Sequence, residues 1–362
     1  MHQETAILVG VHLKSKEKKD CLNSLNELHE LSKAANLLVR DSIIQVRGKL
    51  SPKFIIGKGK LEELSSLISL NPVDTVIFDE DISPVQLRNI ESILKCKVLG
   101  RTELIMDIFA SRARTKQARL QVEYAQLSYL MPRLTRRWTH LSRIEGGIGF
   151  RGPGETQLEV DRRAIKKRLF TIKKQLNKIA TQSETRRKKR LDKDIVCLVG
   201  YTNVGKSTLM NNLSKDKLHV DDAYFATLDS TVRKAFISQD LSILLIDTIG
   251  FISKLPHQLI TSFKTTLEEV KSARLLLHVV DITDDNLHDK IETVNNVLRE
   301  LDSLDKPMIY VFNKVDKLPD DMDLPSKLRA SHQSSCFTSA SNNYGIDRLK
   351  VLIEKAIASE GI

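Results

Sequence analysis

Residues 200–207 read G-Y-T-N-V-G-K-S, with "IVCLV" before them and "TLMNNL" shortly after. A strand, a glycine-punctuated loop and a helix start in that order form a cradle for phosphate. Gly200 and Gly205 let backbone N–H groups wrap oxygen atoms, and the helix dipole favours their negative charge. Tyr201, Thr202, Asn203 and Val204 fill the loop, and Thr208 enters the helix behind it. Lys206 supplies a point charge to β- and γ-phosphates, and Ser207 offers a hydroxyl to Mg²⁺. A second apolar run, "ILLIDTIGF", delivers Asp247 and Gly250. Asp247 can hold Mg²⁺ through water, and the Gly250 N–H can reach a γ-phosphate. Phe251 then stands where a hydrolase would use glutamine to orient water. Its ring cannot polarise water, so the missing group is expected from elsewhere in this segment, with His257 a conceivable candidate, from K⁺ or from a partner.

The base is read further along. In "YVFNKVD" (310–316), Asp316 can accept two hydrogen bonds from the N1–H and exocyclic amine of guanine, a donor pair that adenine lacks. Asn313 is expected at N7 and the Lys314 stem along the ring face. In "SSCFTSA" (334–340), the Ser339 and Ala340 backbone is expected at O6. A threonine that senses the third phosphate should precede Asp247. Thr227, in "FATLD", is the candidate and Thr231 the alternative. The order of these motifs indicates a GTP-binding domain over 192–362.

Three sets of elements must position this chemistry. In 1–105, β-type runs at 6–11, 41–46, 74–79 and 96–100 alternate with helical stretches near 22–37, 58–70 and 84–94, which predicts a small parallel α/β domain. The "GKGK" at 57–60 opens a helix and could meet phosphate through N–H groups. In 106–191, Leu120, Tyr124, Leu127 and Met131 form one apolar seam. Leu158, Ile165, Leu169, Ile172, Leu176 and Ile179 form another. Joined by a glycine-rich stretch at 143–156, they predict a long antiparallel helical hairpin, with a second arm of roughly 50 Å. The whole reads as α/β: the N-terminal domain, the hairpin, and a P-loop GTPase domain with a mainly parallel sheet flanked by helices.

Charge separates these parts. Residues 111–190 hold 22 Lys/Arg against 6 Asp/Glu, whereas the rest of the chain holds 35 against 40. The basic segment suits a polyanion, with nucleic acid favoured. The run "RRKKR" at 186–190 is either a contact or a solvated helix end. The four cysteines make no metal-type pair and read as buried, reduced thiols. No apolar run approaches a membrane span, and "AILVGV" is too short for a signal peptide. A cytoplasmic monomer is expected, with peripheral membrane association also compatible.

These residues resemble the HflX family of translation-associated GTPases, related to the Obg and Era groups. "GYTNVGKSTL", "FATLD", "DTIGF" and "NKVD" match its GTPase domain. "MDIFASRART", "LQVEYAQL" and "WTHLSRIEGGIGFRGPGETQLEVDRR" match its helical segment. The resemblance implies a GTPase that binds the rRNA of the large ribosomal subunit, or the 70S ribosome, and yields GDP and phosphate. It implies separation of stalled or idle ribosomes under stress, with the hairpin loop foremost at the peptidyl-transferase centre. Lys206, Thr227 and Gly250 would be catalytic, and Ser207, Thr227 and Asp247 would serve Mg²⁺. Related GTPases use an asparagine at the Asn203 position to help hold K⁺; a local turn role is the alternative. For some members ATP is attributed to the N-terminal domain, yet residues 1–100 carry no Walker-type motif. Ser230 and Val232 depart from the family's usual Pro and Thr, and the chain stops at the last helix of the GTPase domain. An RNA-binding assembly factor of the large subunit that uses GTP as a checkpoint is the competing class. A nucleic-acid-dependent ATPase is a third, against which "NKVD" argues.

Overall fold

In the computed structural model, the first apolar run forms β1 (Thr5–Leu13), buried along most of its length. It pairs in parallel with β2 (Leu38–Arg47) and β3 (Thr75–Phe78), and β3 pairs in parallel with β4 (Lys97–Gly100), giving the order β2-β1-β3-β4. Parallel strands need crossovers, here α1 (Lys18–Ala34), α2 (Lys58–Leu70) and α3 (Pro84–Leu94). Val9, Phe78, Leu61, Leu64 and Ile90 form the centre of this core. The start of α3 is written in its sequence: Ser83 and Gln86 exchange side-chain and backbone hydrogen bonds in a capping box, and Pro84 occupies the first turn. The start of α1 is not, because its first turn is charged and the leucine periodicity begins only at Leu22. Gly57 precedes α2, and its N–H donates to Gln45 Oε1 at 2.7 Å, so a side chain already occupies the group that phosphate would need.

The structure describes residues 3–15, 17–134, 153–188, 193–214, 224–225, 231–319, 324–332 and 334–359. They fall into two compact units. One comprises Met1–Ser111, Arg119–Leu176 and Pro256–Leu259; the other comprises Arg112–Ala118, Asn177–Leu255 and Ile260–Ile362.

The first unit continues from β4 into α4 (Arg101–Arg112), so the expected border at 105/106 falls inside a helix. Arg101 is only 2% exposed. Its guanidinium donates to Asp79 Oδ1 at 2.7 Å and pairs with Glu27 of α1. Next come α5 (Lys116–Leu134) and the 36-residue α6 (Pro153–Lys188). Where its side chains are described the α6 seam is as expected: Ile172 is buried, and Ile165, Leu169, Leu176 and Ile179 are half-buried; the side chain of Leu158 lies outside the described residues. On α5, Val122, Ala125 and Tyr129 are buried more deeply than the expected Tyr124, Leu127 and Met131. The cause is α4: Tyr129 O–H donates to Glu103, and the Arg133 guanidinium lies 3.5 Å from the centre of the Tyr129 ring.

The second unit holds β5 (Ile195–Gly200), α7 (Lys206–Leu213), β6 (Thr231–Phe236), β7 (Ser242–Asp247), α8 (His257–Ser272), β8 (Leu275–Asp281), α9 (Leu287–Glu300), β9 (Met308–Asn313), α10 (Leu324–Ser331), β10 (Ser335–Phe337) and α11 (Ile346–Ser359). The sheet order is β10-β9-β8-β5-β7-β6, and only the β6–β7 pair is antiparallel. Every residue of β5 is buried, which explains its unbroken apolar run. The chain leaves β5 for β7 on one side and returns to β8 on the other. The loop after β5 therefore opens at the crevice where such sheets bind ligands. Cys197 and Cys336 are buried as expected, whereas Cys21 and Cys96 are only half-buried, one on α1 and one just before β4.

Candidate nucleotide-binding site

The strand ends of β5, β7, β8 and β9 bring Gly200, Asp247, Asp281 and Asn313 to one edge of the sheet. Between Gly200 and α7 the loop turns through Gly205 at φ +92°, where a Cβ would come within 2.4 Å of Asn313 Nδ2. Only glycine fits. Val204 is buried, Thr208 half-buried, and Asn203 exposed with φ +59°.

Lys206 lies under the loop, its Nζ donating to Gly200 O at 3.2 Å and Tyr201 O at 2.6 Å. Burial pulls its pKa down to about 8, against the opposing charge of Asp247. Ser207 Oγ donates to Asp247 Oδ2 at 2.6 Å, and the Asp247 side chain is fully buried. A hydroxyl and a carboxylate brought together at a strand end are hard oxygen donors of the kind Mg²⁺ selects. The Thr202 hydroxyl is buried without a hydrogen-bond partner among the described residues. An unmet hydroxyl costs about 1–3 kcal/mol, so this loop fits a ligand rich in acceptor oxygens.

Beyond Asp247 the chain folds back over the loop. Thr248 Oγ1 donates to Leu198 O at 2.7 Å. Phe251 N donates to Gly200 O at 3.1 Å, and Thr202 N donates to Phe251 O at 2.8 Å. Ser253 N donates to the Tyr201 hydroxyl at 2.6 Å, and Lys290 lies 4.8 Å from the centre of the Tyr201 ring. Gly250 is pressed so close that a Cβ would stand 2.9 Å from Thr202 Cα and 3.1 Å from Lys206 Nζ. The Phe251 side chain is 2% exposed. A buried phenyl ring has no group with which to activate water. Tyr201, expected in the loop itself, is thus also the tether of the segment after Asp247. Nothing in the sequence pattern marks that role.

The base-reading residues are braced against the phosphate loop. Asn313 Nδ2 donates to Val204 O at 2.8 Å, while its Oδ1 accepts from Ala340 N at 2.9 Å and Thr338 Oγ1 at 3.2 Å. Lys314 Nζ donates to Asn203 O at 2.8 Å and pairs with Asp281 at 2.7 Å. Burial acts to raise the Asp281 pKa, but hydrogen bonds from Lys314 and Thr283 bring it below the usual range. Asp316 is exposed, and the hydroxyls of Ser339 and Ser341 hold its carboxyl below the usual range. Asn212 of α7, which the sequence does not single out, donates to Ala340 O at 2.7 Å.

Thr227 lies outside the described residues, as do residues 189–190 and the glycine-rich loop up to residue 152; for residues 186–188 and His257 the side chains lie outside them. Thr231 opens β6, directly across from Asp247.

Comparison with known proteins accounts for this assembly. Residues 195–314 match the family model described as 50S ribosome-binding GTPase, residues 22–110 the GTP-binding GTPase N-terminal model, and residues 112–190 the GTP-binding GTPase middle region. The GTPase HflX of Flavobacterium psychrophilum is 48% identical over 86% of this chain and 76% of its own length. The GTPase HflX of Escherichia coli K12 is 41% identical over 99% of this chain and 84% of its own length. The chain belongs to the HflX family of GTPases. Among solved structures, the SsGBP–GDP complex is similar, with a TM-score of 0.54 and 26% identity over 99% of this chain and 100% of that one. As an HflX-family GTPase the protein binds GTP and GDP and hydrolyses GTP. None of the helices among the described residues is long and apolar enough to cross a membrane.

Proposed function

We propose that this HflX-family GTPase binds the large ribosomal subunit or the 70S ribosome and separates stalled or idle ribosomes under stress, with GTP favouring engagement and hydrolysis favouring release. The observation that carries the reading is the pairing, in one chain, of a GTP site with a basic helical hairpin matching the middle region of this family. The domains are taken as 1–105, 106–191 and 192–362, with the hairpin meeting rRNA. Ser207 and Asp247, joined by Thr227, are the proposed Mg²⁺ holders; the ion neutralises charge on the β- and γ-phosphates when bound. Lys206 holds the same phosphates from below and the Gly250 N–H meets the third. Asn203 is the proposed contributor to a K⁺ site, and hydrolysis no faster in K⁺ than in Na⁺ would remove it. The protein is taken to act as a cytoplasmic monomer.

Sedimentation tests the reading. Incubated with 70S ribosomes and GTP, the full chain is expected to convert them into free subunits. Intact 70S particles, with the protein on precursors of the large subunit, would favour the assembly-factor role instead.

A further inference from the structure

The outer face of α6 carries a feature that GTP chemistry does not use. From residue 162 to residue 183 the helix has eight Lys/Arg and no Asp/Glu. Its seam residues point the other way, with Ile172 fully buried. Phe170 is 73% exposed. At about 100° per residue it lies roughly 140° around the helix from the centre of that seam, so closer packing of the two arms would not cover it. Arg163, Lys166, Lys167, Lys173 and Lys174 all fall within about 60° of it. All five are exposed, and none is ion-paired with a described residue. Arg168 is different: it makes a two-pronged pair with Glu123 at 2.6 and 2.7 Å.

A single exposed apolar side chain is ordinary on a protein surface. An aromatic ring at the centre of unpaired cations, on a stretch cleared of acid, is a more specific combination. Lys166, Phe170 and Lys174 follow one another along the helix at intervals of about 6 Å. Cations suit phosphates, and an exposed ring face suits a nucleobase that is not already stacked in a duplex. An acidic protein surface would satisfy the lysines and leave the ring without a role.

We infer that the outer face of α6 binds an unpaired segment of ribosomal RNA, with Phe170 stacking on one base while Arg163, Lys166, Lys167 and Lys174 hold the flanking phosphates. This rests on the ribosome-binding reading.

The test is equilibrium binding of the full chain to purified large subunits across a salt series. Phe170→Ala is expected to weaken binding by roughly 5- to 100-fold, as loss of one stacked base does, with the slope of log affinity against log salt unchanged. Phe170→Leu should lose as much, and Phe170→Tyr should restore it. Lys166→Ala with Lys174→Ala should instead make the salt slope shallower by about 1 to 2. An unchanged affinity in Phe170→Ala, or full rescue by leucine, would overturn the stacking role and leave ribosome binding standing; rescue by leucine would indicate an apolar protein contact. Failure of the wild-type chain to bind large subunits at all would overturn both. Phe170→Trp, read against the wild-type chain whose one tryptophan is Trp138, supplies a direct readout. Its fluorescence should be quenched by a single-stranded oligoribonucleotide more than by the same sequence as a duplex, and not by polyglutamate. Equal quenching by polyglutamate would exclude RNA as the preferred partner.

Discussion

Lys206 combines burial with a proposed task, holding phosphates, that requires charge. In the free protein its pKa stands at about 8, lowered by burial from the ordinary 10.5. Phosphates restore the charged form, so above pH 8 nucleotide binding must take up a proton. GDP affinity is therefore expected to be flat below pH 8 and to fall by up to tenfold per pH unit above it. Calorimetry at pH 8.5 in buffers of different ionisation enthalpy should report the proton uptake; equal affinity at pH 7.5 and 9 would contradict it. Asp316 offers a second test. It is exposed and held ionised by neighbouring hydroxyls, so Asp316→Asn should fold normally while exchanging one acceptor for a donor. Affinity should move from GTP toward xanthosine triphosphate by at least about tenfold, roughly 1.4 kcal/mol, in a competition assay. These two residues were legible because motif chemistry names them. Tyr201 and Asn212 were not, because hydrogen bonds between loops far apart in sequence leave no periodicity and no fixed spacing.

Elements show the same division. Runs buried on both faces, such as β5, announced themselves, and so did α3 through Ser83 and Gln86. On α5 the periodicity was real, yet two overlapping apolar faces shared it, and contact with Glu103 of α4 decided which was buried deepest. Arg101 was invisible as a core residue, since an arginine after a strand reads as solvent-facing. Its burial against Asp79 and Glu27 ties α4 to β3 and α1. Removing one member of a buried ion network costs about 3–5 kcal/mol because the others remain charged in a dry site. Arg101→Ala is thus expected to lower the first unfolding transition in urea by that amount. Arg101→Met combined with Asp79→Asn and Glu27→Gln should recover most of it, and a single variant as stable as the wild type would refute the structural role.

At the scale of the molecule, the buried Phe251 cannot itself orient water. Partner-supplied or partner-ordered groups contribute roughly 10³–10⁵ in other GTPases. Large subunits are therefore expected to stimulate hydrolysis at least tenfold, about 1.4 kcal/mol off the barrier. A fast free enzyme whose rate is indifferent to ribosomes would refute this. A final consequence follows from the brace between the two recognition loops. Asn313 and Lys314 donate to the carbonyls of Val204 and Asn203, and Asn212 returns the bond to Ala340. Base pocket and phosphate cradle are therefore one body, ordered when the domain folds rather than when the nucleotide arrives. On the proposed assignment of these residues, a guanine would find its seat already shaped, while a wrong base would strain the same bonds that shape the phosphate loop. An error made at the purine would then be felt at the triphosphate.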